Sequence, residues 1–94
     1  MEEIWKPITQ SDKDYSISNY GRVQNNITGK ILKPRSSRTG YLRVHLSVSD
    51  GRKDFYIHRL VADAFCIHPE GCDVVNHLDN NPANNCASNL EWTT

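Results

Sequence analysis

No apolar run in the 94-residue chain approaches the roughly 18 residues that a membrane-spanning helix needs. The opening, Met1-Glu2-Glu3-Ile4-Trp5-Lys6, has neither the basic stretch nor the apolar stretch of a signal peptide. Cysteine is scarce: Cys66, Cys72 and Cys86 are an odd number without C-x-x-C spacing, which argues against a disulfide framework. A reducing, cytoplasmic location with no membrane partner is the expectation. Joined by His68, those cysteines still lack the paired pattern of structural zinc modules, so zinc is not expected. Absent too are a phosphate-cradling glycine loop, a Ser/His/Asp arrangement and a carboxylate pair. With 37% hydrophobic residues, the chain has material for one small domain with a thin core.

Basic residues are missing altogether after Arg59. The net charge of zero therefore hides an asymmetry. Residues 1–20 carry −2, residues 21–59 carry +7 and residues 60–94 carry −5. A basic middle on a neutral chain permits one charged face, which is what attraction to phosphate requires.

Hydropathy alternates from Tyr41 to Val48, with Leu42, Val44, Leu46 and Val48 on one side, the signature of a half-buried strand. Asp50-Gly51 reads as the two-residue turn of a hairpin. Closure there pairs Leu46 with Phe55 and Val44 with Ile57 inside, and Ser47 with Asp54, His45 with Tyr56 and Arg43 with His58 outside. Tyr15–Asn19 and Gly21–Gln24 read as two strands joined at Asn19-Tyr20-Gly21, and Ile31–Lys33 as another. Lys33 to Gly40 reads as an exposed basic loop. Leu60, Val61, Ala64 and Phe65 share one face of a short helix from about His58 to Phe65, which must pack on the sheet.

From Asn76 to Asn89 the chain holds six of its nine asparagines. Asn and Asp tolerate left-handed backbone and bond their own main chain, so this is a loop held by amides and flanked by two strand-like pieces. His77 follows Val74 and Val75 at the end of the first piece. A histidine fixed there is suited to take a proton near neutral pH. His58, His45 and His68 read as structural or surface residues.

Val75-Asn76-His77-Leu78-Asp79-Asn80-Asn81, then Asn84-Asn85 and Asn89-Leu90-Glu91-Trp92-Thr93, resemble the core of HNH endonucleases of the phage and intron homing type. His58 to Phe65 resembles the helix before that core. Ile4-Trp5-Lys6-Pro7-Ile8 and Tyr15 to Val23 resemble the β-rich module that precedes it. The resemblance implies an α+β fold in one domain, with a small antiparallel sheet, one short helix and a ββα-metal motif. Residues 1–57 would be a β-rich DNA-binding module and 58–94 the HNH-like core. His77 would be the general base that activates water against a backbone phosphate, and Asn89 would brace the loop and orient it. Asn76 would stand at a metal-ligand position, with Mg²⁺ or Mn²⁺ stabilising the leaving 3′ oxygen. The β-module would grip double-stranded DNA through Arg22, Lys33, Arg35, Arg38, Arg43, Arg52, Lys53 and Arg59.

Asn76 is a neutral ligand where some relatives carry Asp, so the ion is expected to bind weakly. The family's third metal-site residue sits on a helix after the Glu-Trp-Thr segment, beyond Thr94, so the motif is expected to lack its final helix. An alternative from another class follows: a catalytically silent HNH derivative that binds or inhibits a host protein or nucleoprotein complex, as an anti-CRISPR protein does. The acidic −5 tail would suit a basic protein surface.

Overall fold

A computed structural model describes residues 2–11 and 14–94; Asp12 and Lys13, counted in the acidic N-terminal stretch, lie outside the described residues. Three antiparallel sheets surround one helix. Strands β1 (Trp5–Pro7), β2 (Tyr15–Ser18) and β3 (Val23–Asn25) form the first, in that order. The second is β4 (Arg35–Ser36), β5 (Leu42–Val48) and β6 (Gly51–Tyr56). Helix α1 (Ile57–Phe65) follows without a linker, and β7 (Val74–His77) pairs with β8 (Leu90–Thr93) after a 3-10 turn over Ala87–Asn89. The expected α+β class, with small antiparallel sheets and one helix, is what the chain adopts.

The hairpin forms two residues away from the expected register. Val48 pairs with Gly51, so the turn is Ser49-Asp50, and Val44 faces Phe55, His45 faces Asp54 and Arg43 faces Tyr56. Among described non-glycine residues Asn80 alone has positive φ. Ser49 and Asp50 thus keep ordinary backbone, and Gly51 (φ 122°) follows the turn instead of lying within it. A shift of two leaves every side chain on its anticipated face while changing every partner. It also ends β6 at Tyr56 and releases Ile57 to begin the helix. Two further expectations are corrected. Ile31–Lys33 is not a strand but a single bridge from Ile31 to Gln24. The basic loop contains β4, where Arg35 pairs with Arg43 and Ser36 with Leu42.

The core gathers Ile17 and Val23 from the first sheet, Val44 and Leu46 from the second, Val75, Leu90 and Trp92 from the third, and Ile57, Leu60, Val61 and Ala62 from the helix. Each large aliphatic side chain buried on α1 contributes roughly 1.5–3 kcal/mol, which a nine-residue helix needs because its own hydrogen bonds do not sustain it. The last turn gains a cation: Lys6 Nζ donates to the Ala64 carbonyl at 2.8 Å. Trp92 Nε1 donates to the Ala62 carbonyl at 3.2 Å, which fixes β8 against the helix.

The first sheet reaches the far loop through two contacts. Ala87 N–H donates to the Asn19 carbonyl at 2.8 Å. Gly21 (φ 86°) lies so close that a Cβ there would stand 2.9 Å from Asn85 Cβ and 3.1 Å from its carbonyl oxygen. Gly21→Ala meets both the left-handed backbone cost and this collision. It is expected to lower stability by at least about 1–2 kcal/mol in urea unfolding. An unchanged midpoint would show that the two segments are not pressed together.

Candidate active site and nucleic-acid face

The β7–β8 register sets His77 opposite Leu90, so residues 78–89 form an excursion that returns to its starting point. Leu78 N–H closes it on the Asn89 carbonyl at 2.8 Å. Inside, Asp79 is the hub. Its Oδ1 accepts from Asn81 N–H at 2.8 Å and from Asn89 Nδ2 at 2.9 Å, and its Oδ2 from Asn84 Nδ2 at 2.8 Å. Asn89 Oδ1 accepts from Asp79 N–H at 3.1 Å, and Asn89 Nδ2 also donates to the Asn84 carbonyl at 2.9 Å. The bonds from Asn84, Asn81 and Asn89 hold the Asp79 carboxyl below the usual carboxylate range. Asn80 takes the left-handed backbone the turn demands, at φ 61°.

His77 is buried at 6% exposure, and its Nε2 lies 2.9 Å from Asn85 Oδ1. An amide oxygen only accepts, so the ring donates from Nε2, and Nδ1 is left as the nitrogen able to take a proton. Tyr41 and His58 flank the ring at centroid distances of 5.8 and 5.2 Å. Two rings and one amide thus adjoin the imidazole. The amide on His77 is thus Asn85, while Asn89 bonds Asp79 and Asn84 and braces the loop. Sequence spacing does not reveal this, because five amides crowd one coiled loop and Asn85 is the one pressed against Gly21.

His58 is a surface residue in neither exposure nor setting. It is 8% exposed, and its Nδ1 has no hydrogen-bond partner among the described residues. Burial first, then the neighbouring His77 and Arg59, push its pKa down to about 4. The other two histidines have local partners. His45 is exposed and bonds Asp54, and His68 stacks on Trp92 with centroids 3.6 Å apart and donates from Nε2 to the Cys72 carbonyl. Cys66 Sγ points at the Ala87 and Leu90 carbonyls, at 3.7 and 3.6 Å.

Asn76 alternates with His77 along β7 and is exposed, its Nδ2 donating to Glu91 Oε1 across the strand pair at 3.1 Å. Both residues nonetheless line one cavity of about 350 Å³, with Thr39, Tyr41, Asn80 and Pro82. A second cavity of about 340 Å³ shares Thr39, Tyr41 and Val75 with it and adds Tyr56, His58 and Arg59. Asn76 Oδ1 and the Glu91 carboxylate are oxygen donors of the kind a hard divalent cation takes. They fit it in kind but not in number. Among the described residues no group of three or more His, Cys, Asp or Glu could hold a metal ion. Phosphate oxygens and water would have to supply the rest.

The eight basic candidates divide. Arg35, Arg43 and Arg52 share one face of the second sheet, with Tyr56 opposite Arg43 and Arg52 opposite Ser47. Lys53 pairs with Leu46 and so belongs to the opposite side of the strand. Lys33, Arg35, Arg38, Arg52 and Lys53 are exposed and make no ion pair among the described residues. Three others are engaged within the molecule. Arg22 pairs with Glu3 and lies over Trp5, Arg43 is 3.4 Å from Asp54, and Arg59 donates to the Asp73 carbonyl at 3.1 Å and lies over Trp92.

His58 makes stability depend on pH. Its folded pKa is about 4 against an ordinary value of 6.5. Between those values the unfolded chain binds the proton and the folded chain does not. Stability is therefore full above about pH 6.5 and falls as pH drops toward 4. After allowance for solvent screening the loss is about 2 kcal/mol. Urea midpoints at pH 7.5 and 4.5 should differ less in His58→Phe than in the parent chain. An equal fall in both would remove His58 as the cause.

Known proteins match this architecture. Residues 3–47 match the NUMOD4 motif. An uncharacterized HNH endonuclease of Acanthamoeba polyphaga mimivirus is 48% identical over 93 residues, covering 99% of this chain and 28% of that protein. The DNA endonuclease I-HmuI of Bacillus phage SP01 is 41% identical over 90 residues, covering 96% of this chain and 52% of the enzyme. A solved structure concerned with DNA binding and cleavage by that HNH homing endonuclease superposes with a TM-score of 0.86, over 100% of this chain and 53% of the other. The chain thus spans about half the length of I-HmuI and about a quarter of the mimivirus protein. Along all of its own length, with a NUMOD4 motif ahead of the strand pair that carries His77, it is similar to the HNH homing endonucleases.

Proposed function

We propose that the chain is the DNA-gripping, histidine-bearing part of an HNH-type phosphodiesterase, with double-stranded DNA as partner and His77 as general base. The observation that carries this reading is the hydrogen bond from His77 Nε2 to Asn85 in a cavity that opens beside a basic sheet face. Fixed in one tautomer, His77 presents Nδ1 to a water. Nδ1 takes the water's proton as the oxygen attacks phosphorus, and the P–O3′ bond breaks. The family place of Asn76, with Glu91 beside it, would hold Mg²⁺ or Mn²⁺, which supplies Lewis-acid stabilisation of the departing 3′ oxygen. Asn85 orients the base. Asn89 acts at one remove, by holding the loop through Asp79.

Arg35 and Arg52 set the DNA on the exposed face of the second sheet, and Arg38 extends that face at the β4–β5 turn. Arg22 contributes little to this grip because Glu3 neutralises it. The relatives support the reading by their names, as endonucleases.

Two measurements test it. In a plasmid-nicking assay with Mn²⁺ or Mg²⁺, His77→Ala should lower the rate by at least about a hundredfold, the contribution of a positioned general base. Equal nicking by both proteins would remove His77 from the chemistry. For binding, Arg35→Ala with Arg38→Ala should reduce the slope of log affinity against log salt by up to about 1.8, near 0.9 for each phosphate that goes unneutralised. Arg22→Ala should leave the slope almost unchanged. The reverse ranking would move the DNA face to the first sheet.

A further inference from the structure

The cavity beside His77, lined by Tyr41, Tyr56 and His58, has no part in the proton transfer, and its composition differs from that of the cavity that holds Asn76. We propose that it is a nucleoside subsite, which takes the base and sugar adjoining the phosphate held at His77. The inference rests on the DNA reading above and deepens it.

Three observations carry it. The two cavities share Thr39, Tyr41 and Val75, so they are successive stations along one groove. A strand whose phosphate sits at His77 places its neighbouring nucleoside in the second. Next, Tyr41 and Tyr56 are 37% and 44% exposed, unusual for rings so near a core. They meet edge-to-face, with centroids 6.3 Å apart and planes at 79°. That corner offers a planar base one ring face to stack on and one ring edge to abut. Finally, the imidazole of His58 lines this cavity, is more than nine-tenths buried, and has an Nδ1 without a hydrogen-bond partner among the described residues. Buried polar atoms are nearly always satisfied, so an orphan in a side chain that lines a cavity points to a group that arrives from outside.

The chemistry of the wall selects the ligand. Arg59 is the cation here, and its guanidinium already bonds the Asp73 carbonyl and covers Trp92. His58 is kept uncharged by its burial. A wall of two tyrosines and a neutral imidazole favours an uncharged, planar, hydrogen-bonding unit over a second phosphate. A base enters such a corner only when it leaves its stack, which costs least where it is unpaired. The volume of about 340 Å³ lies at the small end of the range for ligand pockets.

The test uses the whole chain and two probes with equal numbers of phosphates: a short single-stranded oligodeoxynucleotide and its fully abasic counterpart. Affinities come from fluorescence anisotropy, and ring-proton shifts of Tyr41 and Tyr56 from NMR. The base-bearing strand should bind about tenfold or more tightly than the abasic one and move both ring signals. Tyr56→Ala should abolish that preference without changing the affinity for the abasic strand, which also certifies the variant's fold. Tyr56→Phe should keep it. Equal affinity of the parent chain for the two probes, or an undiminished preference in Tyr56→Ala, overturns the subsite and leaves DNA binding intact. Failure of both probes and of duplex DNA to bind at all overturns the DNA reading, and the subsite with it.

Discussion

The bond between His77 and Asn85 depends on a contact with a different part of the chain. Asn85 sits in a loop without regular structure, and its side chain has one anchoring bond, the one it makes to His77. What fixes its backbone is Gly21, pressed against it from the turn between β2 and β3, and the neighbouring bond from Ala87 to the Asn19 carbonyl. Asn19 is itself tied to Ile4, its Oδ1 accepting from Ile4 N–H at 2.7 Å and its own N–H reaching the Ile4 carbonyl at 3.0 Å. A path of close contacts thus runs from β1 to the imidazole. The second sheet adds a lesser contact of the same type, since a Cβ on Gly40 would stand 3.1 Å from Pro82 Cγ. A β-rich front and a histidine-bearing back therefore interlock, and the tautomer of His77 is a property of both.

The loop from 78 to 89 shows why amides fill it. A segment that leaves a strand and returns to its neighbour must satisfy its own main chain, because no sheet partner does so. Aliphatic residues would offer nothing to those donors and acceptors. Asp79 instead gathers three donors on one carboxylate, and Asn89 both gives to it and receives from it. The negative charge is stabilised by these bonds, not by a cation, so the loop holds its shape without drawing on the basic residues. Arg35 and Arg52 of the second sheet likewise make no ion pair among the described residues.

Much of this was legible in the residues. Alternation from Leu42 to Val48 fixed the inward face of β5, and the i, i+1, i+4, i+5 spacing placed the helix within one residue of its start. The strand-like pieces around the asparagine loop do pair, with His77 opposite Leu90. The misses share a cause, namely that they depend on contacts between distant segments. Asp50-Gly51 is a good local turn signal, yet the hairpin closes two residues away, and Ile57 is buried at the start of the helix instead of pairing with Val44. Asn85 is one amide among five in the loop, and the one pressed against Gly21. His58 reads from the sequence as structural or surface, and only the fold decides between them. Its burial comes from the packing of Tyr41 and His77 onto it, at 5.1 and 5.2 Å.

The disposition of charge then follows from the helix. Because α1 covers the inner side of the second sheet, the outer side is the one open to a ligand, and register decides which side chains it carries. Arg35, Arg43 and Arg52 fall there with Tyr56, and Lys53 falls on the other side. Acidic residues temper the face at one point: Asp54 accepts His45 and Arg43, so the hairpin's centre is internally balanced and the uncompensated charge lies toward its two ends. The end formed by Arg35 and Tyr56 is the one that adjoins the groove of His58 and His77. One of the two basic ends of this face therefore lies next to the imidazole, although the chain as a whole carries no net charge.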